Sequence, residues 1–131
     1  MPSIFSKIIV GEIPCYKIAE DEDFLAFLDI LPLEKGHTLV VPKQEIDYIF
    51  DMDDESLSKL HLFSKRVAKA IQEVVPCLRI GVAAIGLEVP HTHIHLVPLH
   101  SIGSLNFTKE RVQLNKDEFE ELAEKISNKF I

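Results

Sequence analysis

Three histidines recur at alternate positions, His91, His93 and His95, with Thr92 and Ile94 between them and Leu96, Val97 and Pro98 following. In an extended strand successive side chains point to opposite faces, so the imidazoles fall on one side and Thr92, Ile94 and Leu96 on the other. Each neutral imidazole brings one donor and one acceptor that need partners when buried. An aligned set of this kind reads as a site.

Imidazole is a common ligand for zinc and other borderline metals. Same-face positions two apart lie roughly 6.5–7 Å apart along a strand, which separates His91 from His95 by about 13 Å. A metal held by two of the histidines needs an outside ligand, and His37, Glu88 and His100 are the candidates. The other chemistry is nucleophilic. A neutral imidazole attacks phosphorus to give a covalent phosphoramidate that water hydrolyses, while its neighbours bind phosphoryl oxygens or move protons near neutral pH. A patch of purely structural histidines is the third reading. His61, among Leu60, Leu62 and Phe63, reads as an ordinary helical histidine.

The elements that must position these groups are legible in the apolar pattern. Ser3 can cap a short helix over 3–10, which the Gly11 to Pro14 stretch breaks. Strands are expected at about 16–19 and 23–29, separated by the acidic turn of Glu20, Asp21 and Glu22. A loop over 29–36 leads into a strand at 37–42, followed by a short helix over 44–50. Leu57, Leu60, Phe63, Val67, Ile71, Val74 and Val75 recur at helical spacing after Asp53 or Asp54, and Pro76 marks the end. A strand over 78–85 and a bend at Gly86 precede the histidine strand, which Pro98 is expected to close. A loop over 101–107 leads to a helix over 116–129, capped by Asn115, with Phe119, Leu122, Ile126 and Phe130 inward. The pattern is α+β: a mainly antiparallel sheet with one long helix and short N- and C-terminal helices, in one domain over 1–131 whose C-terminal part begins at about 101.

Of the 131 residues 47% are apolar and 27% charged, a globular balance, and no run approaches the roughly 20 apolar residues of a membrane span. Residues 1–15 lack a secretory signal pattern, so the cytoplasm is the expected location. Cys15 and Cys77 form no Cys-x-x-Cys pair and read as buried or incidental thiols. A net charge of −7 argues against binding nucleic acid through a broad basic surface. It leaves room for a small phosphate ligand held by local donors.

The chain resembles the histidine-triad family of nucleotide hydrolases and transferases, whose signature, His-x-His-x-His followed by two apolar residues, matches 91–97 throughout. Residues 4–14 (Ile-Phe-Ser-Lys-Ile-Ile-Val-Gly-Glu-Ile-Pro), 26–30 (Ala-Phe-Leu-Asp-Ile) and 36–43 (Gly-His-Thr-Leu-Val-Val-Pro-Lys) resemble further family blocks in the family's order. The resemblance implies a five-stranded antiparallel sheet with a long helix, and a homodimer with a continuous sheet. It implies that His93 attacks the α-phosphorus of a purine nucleotide, His95 contacts phosphoryl or scissile oxygens, His91 orients the nucleophile's strand and His37 supports the site. Asp29 would bind ribose hydroxyls, with Phe5, Phe27 and Ile30 around the base. Phosphoramidates are the first substrate class and dinucleoside polyphosphates the second, with no cofactor.

The chain also departs from the family pattern. Where many bacterial relatives place a Cys-x-x-Cys and a later histidine that hold structural zinc, this sequence has Ser3, Ser6 and Glu45, so zinc of that kind is not expected. The polar Gly-Gln-Ser/Thr-Val of many relatives is replaced by Gly86, Leu87, Glu88 and Val89, and no asparagine occurs over 78–85. Leu87 makes no side-chain hydrogen bond, and an ionised Glu88 repels a nearby phosphate. Two other readings therefore stand: a metal-dependent hydrolase using His91 and His93 with Glu88 or His37, and a non-catalytic nucleotide-binding module.

Overall fold

The computed structural model of the chain describes residues 2–131. Helix α1 (Ile4–Ile9) starts where the Ser3 hydroxyl accepts the Ser6 N–H, the cap expected from its residue type. Strands β1 (Lys17–Glu20) and β2 (Phe24–Leu28) pair antiparallel across a turn in which the Asp21 carboxylate accepts the N–H groups of Asp23 and Phe24, both at 2.8 Å. Strand β3 (Thr38–Pro42) follows, then the long helix α2 (Asp54–Val74), strands β4 (Arg79–Ala83) and β5 (Ile94–Leu99), and helix α3 (Lys116–Lys129). Asp53 caps α2 and Asn115 caps α3. Among the described residues no helix is long and apolar enough to cross a membrane.

The five strands form one open antiparallel sheet in the order β1-β2-β3-β5-β4. Strand alternation divides its apolar residues between two clusters. Phe24, Ala26, Leu28, Val40, Ile94 and Leu96 meet Leu60, Phe63, Val67 and Ile71 of α2 and Phe119, Leu122 and Ile126 of α3. Leu25, Phe27, Leu39 and Val41 form the second cluster with Phe5 of α1. Phe130 caps the end of α3 and packs on the first cluster, under the Arg66 guanidinium. His61 is exposed on α2, in keeping with an ordinary helical role. Cys15 and Cys77 are free and half-buried.

Three local expectations are corrected. Residues 44–48 are not helical, and only a 3-10 turn at Ile49–Asp51 forms. The segment spends its polar groups on tertiary partners: the Ile46 carbonyl accepts both the N–H and the hydroxyl of Thr92, and the Glu45 carboxylate accepts from Ser3 and Ser6. The histidine segment enters the sheet only at Ile94, so His91 and His93 precede the strand instead of lying in it. Pro98 does not close β5, which continues to Leu99. The ladder to β3 has ended at Thr38 opposite Leu96, so the missing N–H removes no bond there.

Candidate active site

Beside the second, thinner cluster all three triad imidazoles are buried, with His91 wholly out of solvent. Phe5 packs edge-on against His93 at 4.9 Å between ring centroids and against His91 at 5.8 Å, and the His93 and His95 rings lie 4.9 Å apart. The alternation expected of a strand therefore survives in the extended approach to it.

Hydrogen-bond partners assign the tautomers. His93 Nδ1 lies 2.7 Å from the His91 carbonyl, which only accepts, so the proton is on Nδ1 and Nε2 keeps its lone pair. At His37, Nδ1 accepts the Leu33 N–H at 3.0 Å, which puts the proton on Nε2. That N–H donates to His95 Nδ1 at 3.0 Å, so His95 in turn carries its proton on Nε2. His91 Nε2 donates to the Pro42 carbonyl at 2.8 Å and its Nδ1 accepts the Ser3 hydroxyl at 2.7 Å. The result is a nucleophilic nitrogen on His93 beside an N–H donor on His95.

Burial holds the rings of His37, His93 and His95 neutral. It pushes His37 down to about 3, with the charges of His95, Arg111, His93 and Lys109 acting the same way. It pushes His95 down to about 4, again with His93 and Arg111. Burial also lowers His93, opposed by its hydrogen bond to the His91 carbonyl. A buried neutral imidazole is a free base at pH 7.

The loop between β2 and β3 supplies the other candidates. Asp29 Oδ1 accepts the Leu31 N–H at 2.8 Å and Oδ2 lies 3.6 Å from His37 Nε2; burial raises the Asp29 pKa. Ile30 is largely exposed, whereas Phe27 is buried and packs edge-on beneath Phe5 at 5.8 Å, inside the second cluster. Gly36, at φ +97°, makes the turn that delivers His37 to β3. Leu87 and Glu88 stand exposed at the rim, and the Glu88 charge reaches His93 and Asp29.

Asp29, His37 and His95 offer ligand atoms within 4.8 Å of one another, a grouping that could hold a metal ion. The hydrogen bonds argue against it, because His37 Nε2 carries a proton while Nδ1 is engaged by the Leu33 N–H. Both nitrogens of His91 are engaged as well. His100 turns outward to Glu34 at 3.9 Å, away from the triad. Among the described residues no grouping joins His91 and His93 to His37, Glu88 or His100, the metal set anticipated from the sequence.

Sequence reasoning missed the segment after β5. Phe107 packs edge-on over His95 at 4.8 Å, and Arg111 lies over Phe107 and donates to the Leu31 carbonyl at 2.7 Å. Lys109 pairs with Glu34, and the Val112 N–H meets the Pro32 carbonyl, strapping this segment to the Asp29 loop. It has no apolar period, so no pattern in the sequence announced it. A groove of about 690 Å³ between β1 and α3 touches the site only through Ile30 and gathers no histidine.

Comparison with known proteins follows the same lines. The HIT domain model matches residues 10–102. An adenosine 5'-monophosphoramidase of Schizosaccharomyces pombe is 37% identical over 131 residues, covering 98% of each chain. An uncharacterized HIT-like protein of Borreliella burgdorferi is 36% identical over 95% of each chain. Among solved structures, a HIT-like protein from Bartonella henselae superposes with a TM-score of 0.83 at 31% identity, covering 97% of this chain and 95% of its own.

Proposed function

The chain belongs to the HIT domain family, and from that premise we propose that it is a hydrolase or nucleotidyl transferase cleaving at the α-phosphorus of purine nucleoside phosphoramidates, with dinucleoside polyphosphates the second class. The observation that carries the reading is the lone pair on His93 Nε2 beside the His95 N–H. The phosphoramidase relative supports the substrate class.

His93 Nε2 attacks phosphorus, the bond to the leaving amine breaks, and the amine takes its proton from solvent. The His95 N–H holds a phosphoryl oxygen as charge shifts onto it, and His37 fixes the tautomer of His95. Water then attacks phosphorus and His93 departs, giving a nucleoside monophosphate with net retention. His91 keeps the segment carrying His93 in place. Asp29 accepts from the ribose hydroxyls, while Phe5 and Ile30 line the base, with Phe27 supporting Phe5 from below.

A second copy pairing along β4 is part of the proposal, because β4 ends the sheet and leaves Leu78, Val82 and Ile85 exposed near an unpaired edge. Sedimentation as a monomer at micromolar concentration would remove that element.

The test of the chemistry is intact mass analysis after mixing with an adenosine phosphoramidate. A nucleotide monophosphate adduct, lost in His93→Ala, is the expected result. Nucleotide binding with neither adduct nor product would favour a binding module, the reading to which Leu87 and Glu88 at the positions before the triad lend weight.

A further inference from the structure

We propose that Ser3, Ser6 and Glu45 form a clip that sets the orientation of His93 through His91, making them positioning residues although they stand behind the triad rather than in the nucleotide site. The proposal rests on the reading of His93 as the nucleophile.

The connection is continuous. The Glu45 carboxylate accepts the Ser3 N–H and the Ser6 hydroxyl, both at 2.6 Å. The Ser3 hydroxyl accepts the Ser6 N–H at 3.0 Å and donates to His91 Nδ1 at 2.7 Å. With Nε2 on the Pro42 carbonyl, both ring nitrogens of His91 are pinned, one to α1 and one to the end of β3. A residue pinned at both nitrogens cannot turn, and its carbonyl is the acceptor that keeps the His93 proton on Nδ1. The clip also sets the first turn of α1, and Phe5 in that turn covers His93 at 4.9 Å. The bond lengths and donor directions agree at every link, and among the described residues no buried side-chain polar atom lacks a partner.

Clip and merely structural contact differ in what they move. A structural contact changes the melting temperature alone. The clip changes the tautomer of His93 and the chemical step while nucleotide binding holds. The experiment compares wild type, Ser3→Ala, Ser3→Thr, Glu45→Ala and Glu45→Gln in the whole chain, reading the imidazole ¹⁵N shifts of His93 together with kcat and KM on an adenosine phosphoramidate. In both alanine variants the His93 signals should move away from pure Nδ1–H values, with kcat down about tenfold and KM nearly unchanged. Ser3→Thr keeps the hydroxyl and Glu45→Gln keeps an accepting oxygen, so each should lie closer to wild type than its alanine partner. Unchanged ¹⁵N shifts in both alanine variants overturn the clip, and so do altered shifts with wild-type kcat. Altered shifts in a chain whose wild type forms no adduct would uphold the clip and overturn the covalent reading instead. Glu45 is exposed, which keeps its variants interpretable if Ser3→Ala folds poorly.

Discussion

The two faces of the sheet begin from the same alternation and end under unequal cover. One face lies beneath the 21 residues of α2 and the 14 of α3, and its inward side chains on β2, β3 and β5 are apolar but for Thr38, whose hydroxyl is spent on the Gly36 carbonyl. The other lies beneath the six residues of α1, and there β5 and its approach present His93 and His95 in place of aliphatic side chains. A thick face makes stability. A thin face desolvates imidazoles enough to keep them neutral while leaving a ligand a way in.

The sharpest way to break that division is to remove one residue from each face. His93→Ala should abolish turnover while the melting temperature stays close to wild type, because among the described residues the ring's only hydrogen bond is to a carbonyl of its own segment. Leu60→Ala, at a wholly buried position under the sheet, should cost about 2–5 kcal/mol in chemical denaturation and leave kcat near wild type at temperatures where the fold persists. Comparable losses of kcat in the two variants would mean that the faces do not divide the work.

Gly36→Ala strikes where the faces meet. Its φ of +97° is strained for any side chain, and a Cβ would lie 2.9 Å from Val75 Cγ2 and 3.2 Å from Pro98 Cγ. A loss of about 1–3 kcal/mol is expected, along with lower kcat as the turn feeding His37 shifts. Stability unchanged on urea titration would show that the turn relaxes freely.

Acid acts on the thin face next. The ordinary histidine pKa is 6.5, and folding pushes His37 to about 3, His95 to about 4 and His93 downward. As pH falls below about 6.5 the unfolded chain takes up protons that the folded chain refuses, so stability declines with falling pH and is fully present above that value. Calorimetry from about pH 7 to about pH 5 should show a falling melting temperature, with a shallower slope in His95→Gln. An equal slope in the variant would place the acid sensitivity elsewhere.

The unequal faces also explain what could be read from the chain. Leu60, Phe63, Val67 and Ile71 announce α2 because a helix packed along its length must repeat its apolar side, and the β2 and β3 runs are apolar because both faces are covered. His91, His93 and His95 were legible as one face because extended chain alternates whether or not it is paired. The point where pairing begins, at Ile94, was not legible, since it depends on what β3 offers opposite. Residues 44–48 misled for the same reason: Glu45 and Ile46 answer to Ser3 and Thr92, far away in sequence. Phe107 left no trace at all, being one aromatic ring in an irregular strap.

That ring gives the smallest effect and the finest probe of the thin face. Phe107 is half-buried, so Phe107→Ala should cost only about 1 kcal/mol of stability. Its ring nevertheless covers His95 at 4.8 Å and approaches His37 at 6.4 Å. Burial is the largest cause of the low His95 pKa, so admitting water there should raise it from about 4 toward the ordinary 6.5. The rise should be partial, because the charges of His93 and Arg111 still oppose protonation. NMR titration of the His95 ring reads this directly, and the acid limb of kcat should move upward with it, since a protonated His95 can no longer accept from His37. An unmoved titration would mean that β5 and its neighbours alone dry the ring, and the strap would then have no part in keeping the triad neutral.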